Sequence, residues 1–127
     1  MDKKLKAKLE KELDSTSYNV IVNKGTEYPH SGKYNNHNEL GTYYCLACDS
    51  PLFKSDAKFE AGCGWPSFDK EIFPGAIKET KDNSLGMIRT EITCSQCDAH
   101  LGHVFDDGPT ETQLRYCVNS VSLSFKK

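Results

Sequence analysis

The chain has 127 residues and a formal net charge of −2, so it has the length of a single domain and lacks the basic surface typical of nucleic-acid-binding proteins. Only 37% of its residues are hydrophobic, which predicts a small core that would gain from a metal or covalent cross-link. No stretch approaches the roughly 20 consecutive apolar residues that span a bilayer.

The start of the chain is rich in lysine and lacks the apolar segment of a secretion signal. We therefore expect a cytoplasmic protein, monomeric by default, that has neither a membrane nor a nucleic acid as its partner. Thiols in the cytosol are mostly reduced. The six cysteines are therefore expected to bind metal or to react rather than to form structural disulfides.

The N-terminal segment predicts a helix over about residues 2–14. Leu5, Leu9 and Leu13 recur every four residues and so share one face. After this helix, β-branched and aromatic residues dominate short runs that turn signals separate, which predicts a mainly β core over about residues 18–125. The strands predicted from these runs are Tyr18–Val22, Gly41–Cys45, Gly86–Cys94 and Leu114–Phe125.

The last predicted strand has two chemically different faces. Because side chains alternate along a strand, Arg115, Cys117 and Asn119 should share one face, which continues into apolar residues up to Phe125. Tyr116 should lie on the opposite face. The pattern indicates a strand whose first half enters a reactive site and whose second half is anchored in the core.

Four of the cysteines form two Cys-x-x-Cys units, Cys45/Cys48 and Cys94/Cys97. Each unit follows a β-like run, so two tight turns could bring four thiolates to ~2.3 Å from one tetrahedral zinc ion. Such a site has no open coordination position, so the zinc would be structural rather than catalytic. The alternative is a pair of redox-active dithiols, although the sequence lacks the βαβ pattern of a thioredoxin-like motif.

Cys63 and Cys117 have no metal-binding pattern. Cys63 lies between Gly62 and Gly64, which favours a flexible loop. Arg115 lies two positions before Cys117 on the same strand face, and a nearby cation lowers the pKa of a thiol and so increases its reactive thiolate fraction. The alternative for Cys117 is a buried, unreactive thiol, because unpaired cysteines are among the most buried residues.

Two histidines, His100 and His103, could face one site on a turn. A histidine titrates near neutral pH, so the pair could act as general acids. They could instead be metal ligands or purely structural residues. The surplus cysteines, an asparagine and Trp65 in a Gly-rich loop favour a reaction site to which all of these residues contribute.

Three segments of the chain together resemble the type B peptide-methionine sulfoxide reductases, which act on the R epimer of methionine sulfoxide. They read Gly-Cys-Gly-Trp-Pro-Ser-Phe at 62–68, His-Leu-Gly-His-Val-Phe at 100–105 and Arg-Tyr-Cys-Val-Asn-Ser at 115–120. The similarity extends from about residue 25 to residue 125. It implies antiparallel β-sheets with few helices, one catalytic domain over residues 1–127, and structural zinc held by the two Cys-x-x-Cys units.

The resemblance also implies a role for each candidate residue. Cys117 matches the nucleophile, and Cys63 matches the resolving cysteine found in many members. Trp65 matches the residue that packs against the substrate methyl group, and Arg115 lies near the nucleophile. The polar residues around the sulfoxide oxygen are matched by His100, His103 and Asn119. A thioredoxin-like dithiol is the implied reductant.

The implied reaction begins when the Cys117 thiolate attacks the sulfoxide sulfur while a histidine protonates the oxygen. Methionine leaves, and the resulting Cys117 sulfenic acid condenses with Cys63 to form a disulfide. An external dithiol then reduces this disulfide by exchange, so the protein would repair oxidative damage to other proteins. Two other functions stay open from the residues alone: a zinc-scaffold ligand-binding module without catalysis, and a peroxide-sensing thiol protein.

The segment Glu27-Tyr28-Pro29-His30 departs from the family, which usually reads Glu-Pro-Pro-Phe at this point. The stretch at 111–114, before the nucleophile, lacks the glycine that family members usually carry. Both changes are expected to alter the rim of the site and the preference among peptide substrates.

Overall fold

The chain folds into two short helices and two antiparallel β-sheets. The computed structural model describes residues 1–83 and 86–127. Helix α1 spans Lys3–Glu12 and helix α2 spans Ser15–Ile21. Neither helix, nor any other in these two stretches, is long and apolar enough to cross a membrane.

Helix α1 confirms the predicted N-terminal helix, although it ends at Glu12 rather than near residue 14. The Asp2 carboxylate accepts a hydrogen bond from the Leu5 N–H at 2.8 Å and so satisfies a donor that the first helical turn leaves unpaired. Leu9 is buried in the core, with Leu13 packed beside it. The four-residue spacing of leucines therefore predicted the face by which this helix docks.

The predicted strand Tyr18–Val22 is wrong, because most of it lies in helix α2. The Asp14 carboxylate accepts a hydrogen bond from the Ser17 N–H at 2.7 Å and caps the start of this helix. Val20 and Ile21 are buried in the core. The cap and the burial of these two β-branched side chains outweigh their modest preference for strands.

The described residues also form nine strands. The first sheet has the strand order β2-β1-β9, and the second has the order β3-β4-β8-β7-β6-β5. Neighbouring strands in both sheets are antiparallel, which confirms the mainly β fold. The strands are β1 Thr42–Cys45, β2 Pro51–Lys54, β3 Lys58–Phe59, β4 Ser67–Phe68, β5 Ile77–Asp82, β6 Arg89–Cys94, β7 His100–Phe105, β8 Arg115–Val118 and β9 Leu123–Lys126.

The prediction of one continuous strand over Leu114–Phe125 is wrong. A 3-10 turn at Ser120–Ser122 separates β8 from β9, and the two strands belong to different sheets. The Asn119 side-chain amide donates to the Leu101 carbonyl at 2.9 Å, and the Ser122 hydroxyl donates to the His100 carbonyl at 2.8 Å. These side-chain bonds to the backbone replace the hydrogen-bond ladder of a continuing strand.

The core lies between the two sheets and is rich in aromatic rings. Phe53 on β2 stacks on Phe68 on β4, with ring centroids 4.3 Å apart. Tyr43 on β1 meets Phe68 edge-on at 5.1 Å, and Tyr116 on β8 lies 5.7 Å from Phe53. Because Tyr116 fills this core, its neighbours on β8 point to the opposite side of the sheet.

Replacing Phe68 with alanine should lower the free energy of unfolding by about 3–5 kcal/mol, because the ring is fully buried between the sheets. Urea denaturation followed by circular dichroism would measure this loss. The matched control is Phe73→Ala, since Phe73 is 48% exposed and its removal should change stability by no more than about 0.5 kcal/mol. Equal losses in both variants would contradict this assignment of the core.

Candidate active site and metal centre

A cavity of about 270 Å³ lies on the side of the second sheet that faces away from the aromatic core. Strands β6, β7 and β8 and two loops contribute to it. Six of the predicted site residues lie in its wall, whereas His100 does not. The lining residues are Thr26, Cys63, Trp65, Arg89, Gly102, His103, Phe105, Arg115, Cys117, Val118 and Asn119.

The two cysteines outside the Cys-x-x-Cys units meet in this cavity. Strand β4 pairs with β8 so that Ser67 lies opposite Cys117, and the loop before β4 carries Cys63. The two sulfur atoms are 3.9 Å apart. Since a disulfide needs a separation of about 2.05 Å, the two sulfurs would have to approach by roughly 2 Å to form one.

The pKa of Cys117 is raised and the pKa of Cys63 is lowered. The sequence had predicted a lowered pKa for Cys117, because Arg115 lies close to it. Burial, the closeness of Cys63 and its hydrogen bond raise the pKa of Cys117 to about 12, and Arg115 only partly opposes this shift. Burial also acts to raise the pKa of Cys63, but hydrogen bonds with Ser67, with the Trp65 backbone and with Cys117 outweigh it and lower that pKa. The first proton is therefore lost from Cys63.

Arg115 is held in place by two neighbours. Its guanidinium donates to the Asp107 carboxylate at 2.8 and 3.1 Å and lies over the Phe105 ring, 4.5 Å from its centroid. The paired carboxylate partly neutralises the cation. The effect of Arg115 on the pKa of Cys117 is smaller than that of burial.

The two histidines lie on strand β7 and not on a turn, which corrects the prediction for this segment. Residues three apart on a regular strand would point to opposite faces. Here Ile92 pairs with Gly102 and Thr93 pairs with His100, so Leu101 is an extra residue that shifts the alternation. As a result the rings of His100 and His103 lie 5.8 Å apart.

Each histidine has a carboxylate partner that sequence reasoning missed. His100 Nδ1 lies 2.9 Å from Glu91 Oε2, and His103 Nε2 lies 2.8 Å from Asp82 Oδ2. Burial lowers the pKa of His100, although Glu91 acts in the opposite direction. For His100, the sequence did contain a signal: Glu91 lies in the middle of β6, and a buried carboxylate needs a partner.

Asn119 and Trp65 are both hydrogen-bonded to one residue, Glu27, which was also missed. The Asn119 Oδ1 accepts from the Glu27 N–H at 3.0 Å, and the Trp65 indole donates to the Glu27 carbonyl at 3.1 Å. Asn119 is 3% exposed and Trp65 is partly buried. The loop that carries Glu27 therefore forms part of the support for the cavity.

The four remaining cysteines converge at the ends of two strands in different sheets. Cys45 ends β1 and Cys94 ends β6, and all four sulfur atoms lie within 4.8 Å of one another. The Cys45–Cys97 and Cys48–Cys94 sulfur pairs are both separated by 3.6 Å. Four sulfurs at ~2.3 Å from a tetrahedral metal would be about 3.8 Å apart, so this donor set fits a metal ion of the size and preference of zinc.

The two knuckles repeat one local geometry. Asp49 and Asp98, which follow the second cysteine of each unit, have φ angles of 67° and 66°, in the left-handed region that aspartate tolerates. Their N–H groups donate to the carbonyls of Cys45 and Cys94 at 2.8 and 2.9 Å. Hydrogen bonds from the Cys45 and Cys97 thiols lower the pKa of Cys94, whereas contacts with Cys94 and Cys97 raise the pKa of Cys45. A metal binds cysteines as thiolates, so binding at this cluster would release the protons that these thiols hold.

Comparison with known proteins places these features in one family. The model of the SelR domain matches residues 13–127. A peptide methionine sulfoxide reductase MsrB from Pseudomonas putida (strain W619) is 61% identical over 114 residues, which cover 90% of this chain and 86% of that protein. The chain belongs to the MsrB family of peptide methionine sulfoxide reductases.

Other relatives agree on the family and the fold. An MsrB from Variovorax paradoxus (strain S110) is 56% identical over 118 residues, covering 93% of this chain and 87% of the relative. Among solved structures, the crystal structure of the Mis18 'Yippee-like' domain matches 70% of this chain and 97% of that domain, with a TM-score of 0.55 and 14% identity. At this identity the likeness shows a shared fold.

The opposite pKa shifts of the two thiols predict the order in which they react with iodoacetamide. Cys63 should be alkylated at least roughly tenfold faster than Cys117 at neutral pH, because only a thiolate reacts. The Cys63 rate should level off at a lower pH than the rate of an ordinary thiol, whereas the Cys117 rate should keep rising toward pH 12. Peptide mass spectrometry of a pH series would measure both rates.

The control for this prediction is Cys63→Ser. Removing Cys63 removes two of the three causes that raise the pKa of Cys117, so Cys117 should be alkylated faster in the variant than in the wild type. Preferential labelling of Cys117 in the wild type would contradict the proposed order.

Proposed function

We propose that the chain reduces the R epimer of methionine sulfoxide in peptides and proteins to methionine, and that residues 1–127 act as one catalytic domain. The observation that carries this proposal is the Cys63–Cys117 pair, with sulfur atoms 3.9 Å apart, in a cavity also lined by Trp65 and His103. The family relationship supports the same reaction, since a relative named peptide methionine sulfoxide reductase is 61% identical.

In the first step, a lone pair of Cys117 Sγ attacks the sulfoxide sulfur. The sulfur–oxygen bond of the substrate breaks, and the oxygen transfers to Cys117 as a sulfenic acid while methionine is released. Cys117 loses two electrons and the substrate sulfur gains them. Because the resting thiol has a raised pKa, its proton must leave as the attack proceeds, and the sulfenic acid carries a proton on its oxygen.

His103 is the group best placed to move that proton. It faces the cavity, lies opposite Cys117 on the neighbouring strand and is oriented by the Asp82 carboxylate at 2.8 Å. A histidine in this position can protonate the sulfoxide oxygen directly or through a water molecule. Asn119 supports the oxygen, while the buried His100 packs against His103 and fixes its position.

The cavity also accounts for selection of one epimer. Trp65 provides an apolar wall for the methyl group, and His103 and Asn119 provide polar groups for the oxygen. If the methyl group must face Trp65 while the oxygen faces His103, only one configuration at sulfur presents its open side to Cys117. Arg115 completes the wall and favours negative charge on the nucleophile as the proton leaves.

In the second step, Cys63 attacks the sulfenic acid of Cys117, a disulfide forms and water leaves. The lowered pKa of Cys63 favours the thiolate that this attack needs. An external thioredoxin-like dithiol then reduces the disulfide by exchange and returns both thiols. We place this cycle in the cytoplasm, in a monomeric protein that repairs oxidised methionine after oxidative stress.

We propose that the four clustered cysteines bind one structural zinc ion. Cys45, Cys48, Cys94 and Cys97 would hold it from both sheets, and the ion would supply cross-linking rather than reactivity, since a four-thiolate site is closed. The sulfur separations of 3.6 Å support this assignment. All steps of the reaction are carried by the residues of the separate cavity.

Single-turnover chemistry tests the proposed reaction. The reduced protein should remove oxygen from a peptide that carries R-methionine sulfoxide, with loss of two thiols per chain to a Cys63–Cys117 disulfide. The S epimer should be left unchanged. Peptide mass and free-thiol counts, taken without any external reductant, measure both results.

Two variants separate the roles in this test. Cys117→Ser should lose activity by at least about 10³-fold, because it removes the nucleophile. Cys63→Ser should complete one turnover and stop as a sulfenic acid. If neither epimer reacts and every thiol survives, the catalytic proposal is wrong and the zinc-scaffold binding module becomes the leading function.

Removal of a metal ligand should unfold the protein. Cys97→Ser should lose both bound zinc and thermal stability, since structural zinc contributes on the order of 10 kcal/mol of apparent folding free energy in small domains. Elemental analysis and thermal unfolding, each with and without a chelator, would measure the two losses. Cys63→Ser is the matched control and should keep both. A metal-free Cys97→Ser protein with an unchanged Tm would refute this role.

A further inference from the structure

Glu27 is a buried acid that no step of the proposed reaction uses. It lies in the loop between α2 and β1 and is only 4% exposed. A charged side chain is rarely buried unless it is paired or hydrogen-bonded. The contacts of Glu27 reach two walls of the cavity and the turn that follows β8.

The backbone of Glu27 contacts the apolar and polar walls of the cavity at once. Its carbonyl accepts the Trp65 indole hydrogen bond at 3.1 Å, and its N–H donates to Asn119 Oδ1 at 3.0 Å. One peptide segment thus fixes the ring proposed to receive the substrate methyl group and the amide proposed to support the oxygen. The relative placement of these two groups follows the position of the Glu27 backbone.

The side chain of Glu27 anchors that backbone. Oε1 accepts a hydrogen bond from the Val121 N–H at 3.0 Å, in the 3-10 turn directly after Asn119. Gly32 lies against the same carboxylate, because a Cβ built at Gly32 would come within 2.5 Å of Oε2 and 2.1 Å of the Ser120 hydroxyl oxygen. The carboxylate is therefore enclosed on both sides, with little room to move.

A second contact joins the same loop to the Trp65 segment. The His30 N–H donates to the Gly64 carbonyl at 2.7 Å. Gly64 has a φ of 95°, and a Cβ there would lie 2.6 Å from Pro29 Cβ, so the two segments are in close contact. The loop around Glu27 is thus fitted to the segment that carries both Cys63 and Trp65.

We propose that Glu27 is a positioning residue, which fixes Trp65 and Asn119 relative to Cys117 by anchoring one loop to the turn after β8. This inference rests on the proposed function. Loss of the anchor lets the loop relax, so that Trp65 and Asn119 shift together. A displacement of ~1 Å at groups that orient a substrate can reduce turnover by about 10²-fold.

Trp65 provides a direct readout, because it is the only tryptophan in the chain. In Glu27→Ala, the tryptophan emission should shift to longer wavelength and be quenched more strongly by acrylamide. The backbone carbonyl that accepts the indole hydrogen bond is kept, but the side-chain contact with the Val121 N–H that holds its loop in place is lost. The kcat/KM for an R-methionine sulfoxide peptide should fall by about 10- to 100-fold. Glu27→Gln keeps an oxygen acceptor for the Val121 N–H and should restore both properties to within about twofold of the wild type.

Glu71→Ala is the matched control for a purely structural loss. The Glu71 carboxylate also anchors a turn, since it accepts from the N–H groups of Gly75 and Ile77 at 3.1 Å each, but it contacts neither Trp65 nor Asn119. This variant should keep wild-type emission and kcat/KM. If Glu71→Ala changes both as much as Glu27→Ala does, or if Glu27→Ala changes neither, the inference is overturned.

Two further comparisons keep the test decisive. Should Glu27→Ala fail to fold, Glu27→Asp shortens the anchor by one methylene and should give a smaller shift of the same sign, while an unchanged Glu27→Asp would count against the inference. The fluorescence of Trp65 is measured without substrate. Inactivity of the wild type would therefore refute the proposed function, whereas unchanged fluorescence in every Glu27 variant would refute the positioning role alone.

Discussion

The site depends on the position of strand β8 between β4 and β7. Pairing on one side sets Ser67 opposite Cys117, which brings the Cys63 loop to Cys117, and pairing on the other side sets His103 opposite the same residue. Alternation along β8 then directs Tyr116 into the aromatic core and Cys117 into the cavity. A shift of one residue would exchange the two, so the register that fills the core is the register that builds the site.

Burial dominates the pKa of Cys117 and hydrogen bonds dominate that of Cys63, so the two thiols shift in opposite directions. The cysteine proposed to attack the sulfoxide has the higher pKa, about 12, so the proposed mechanism requires its proton to leave as the attack proceeds. The family relationship, and not the pKa of either thiol, argues for the reductase over the sensor that the sequence alone left open, since a relative 61% identical to this chain is named peptide methionine sulfoxide reductase.

The N-terminal helix and the two cysteine knuckles were predicted from the sequence, because each depends on the spacing of residues within one short segment. The site residues were predicted through family motifs, and the cavity gathers all of them except His100, which packs behind it. Features that depend on contacts between distant segments were missed. The Leu101 bulge and the carboxylates of Glu91 and Asp82 follow from strand pairing, and helix α2 follows from its capping and burial. Residue preferences carry no direct signal for such contacts.

Strand β6 connects the cysteine cluster to the histidines of the candidate active site. It ends in Cys94, one of the four clustered cysteines, and carries Glu91, which lies 2.9 Å from the buried His100. Arg89, at the other end of the strand, lies 3.5 Å from the Asp82 carboxylate that orients His103. A zinc ion shared with β1 would fix the end of β6 against the first sheet and so limit shifts in register. The cluster would then support catalysis without touching substrate, because the acid–histidine contacts require the strand alignment that it stabilises.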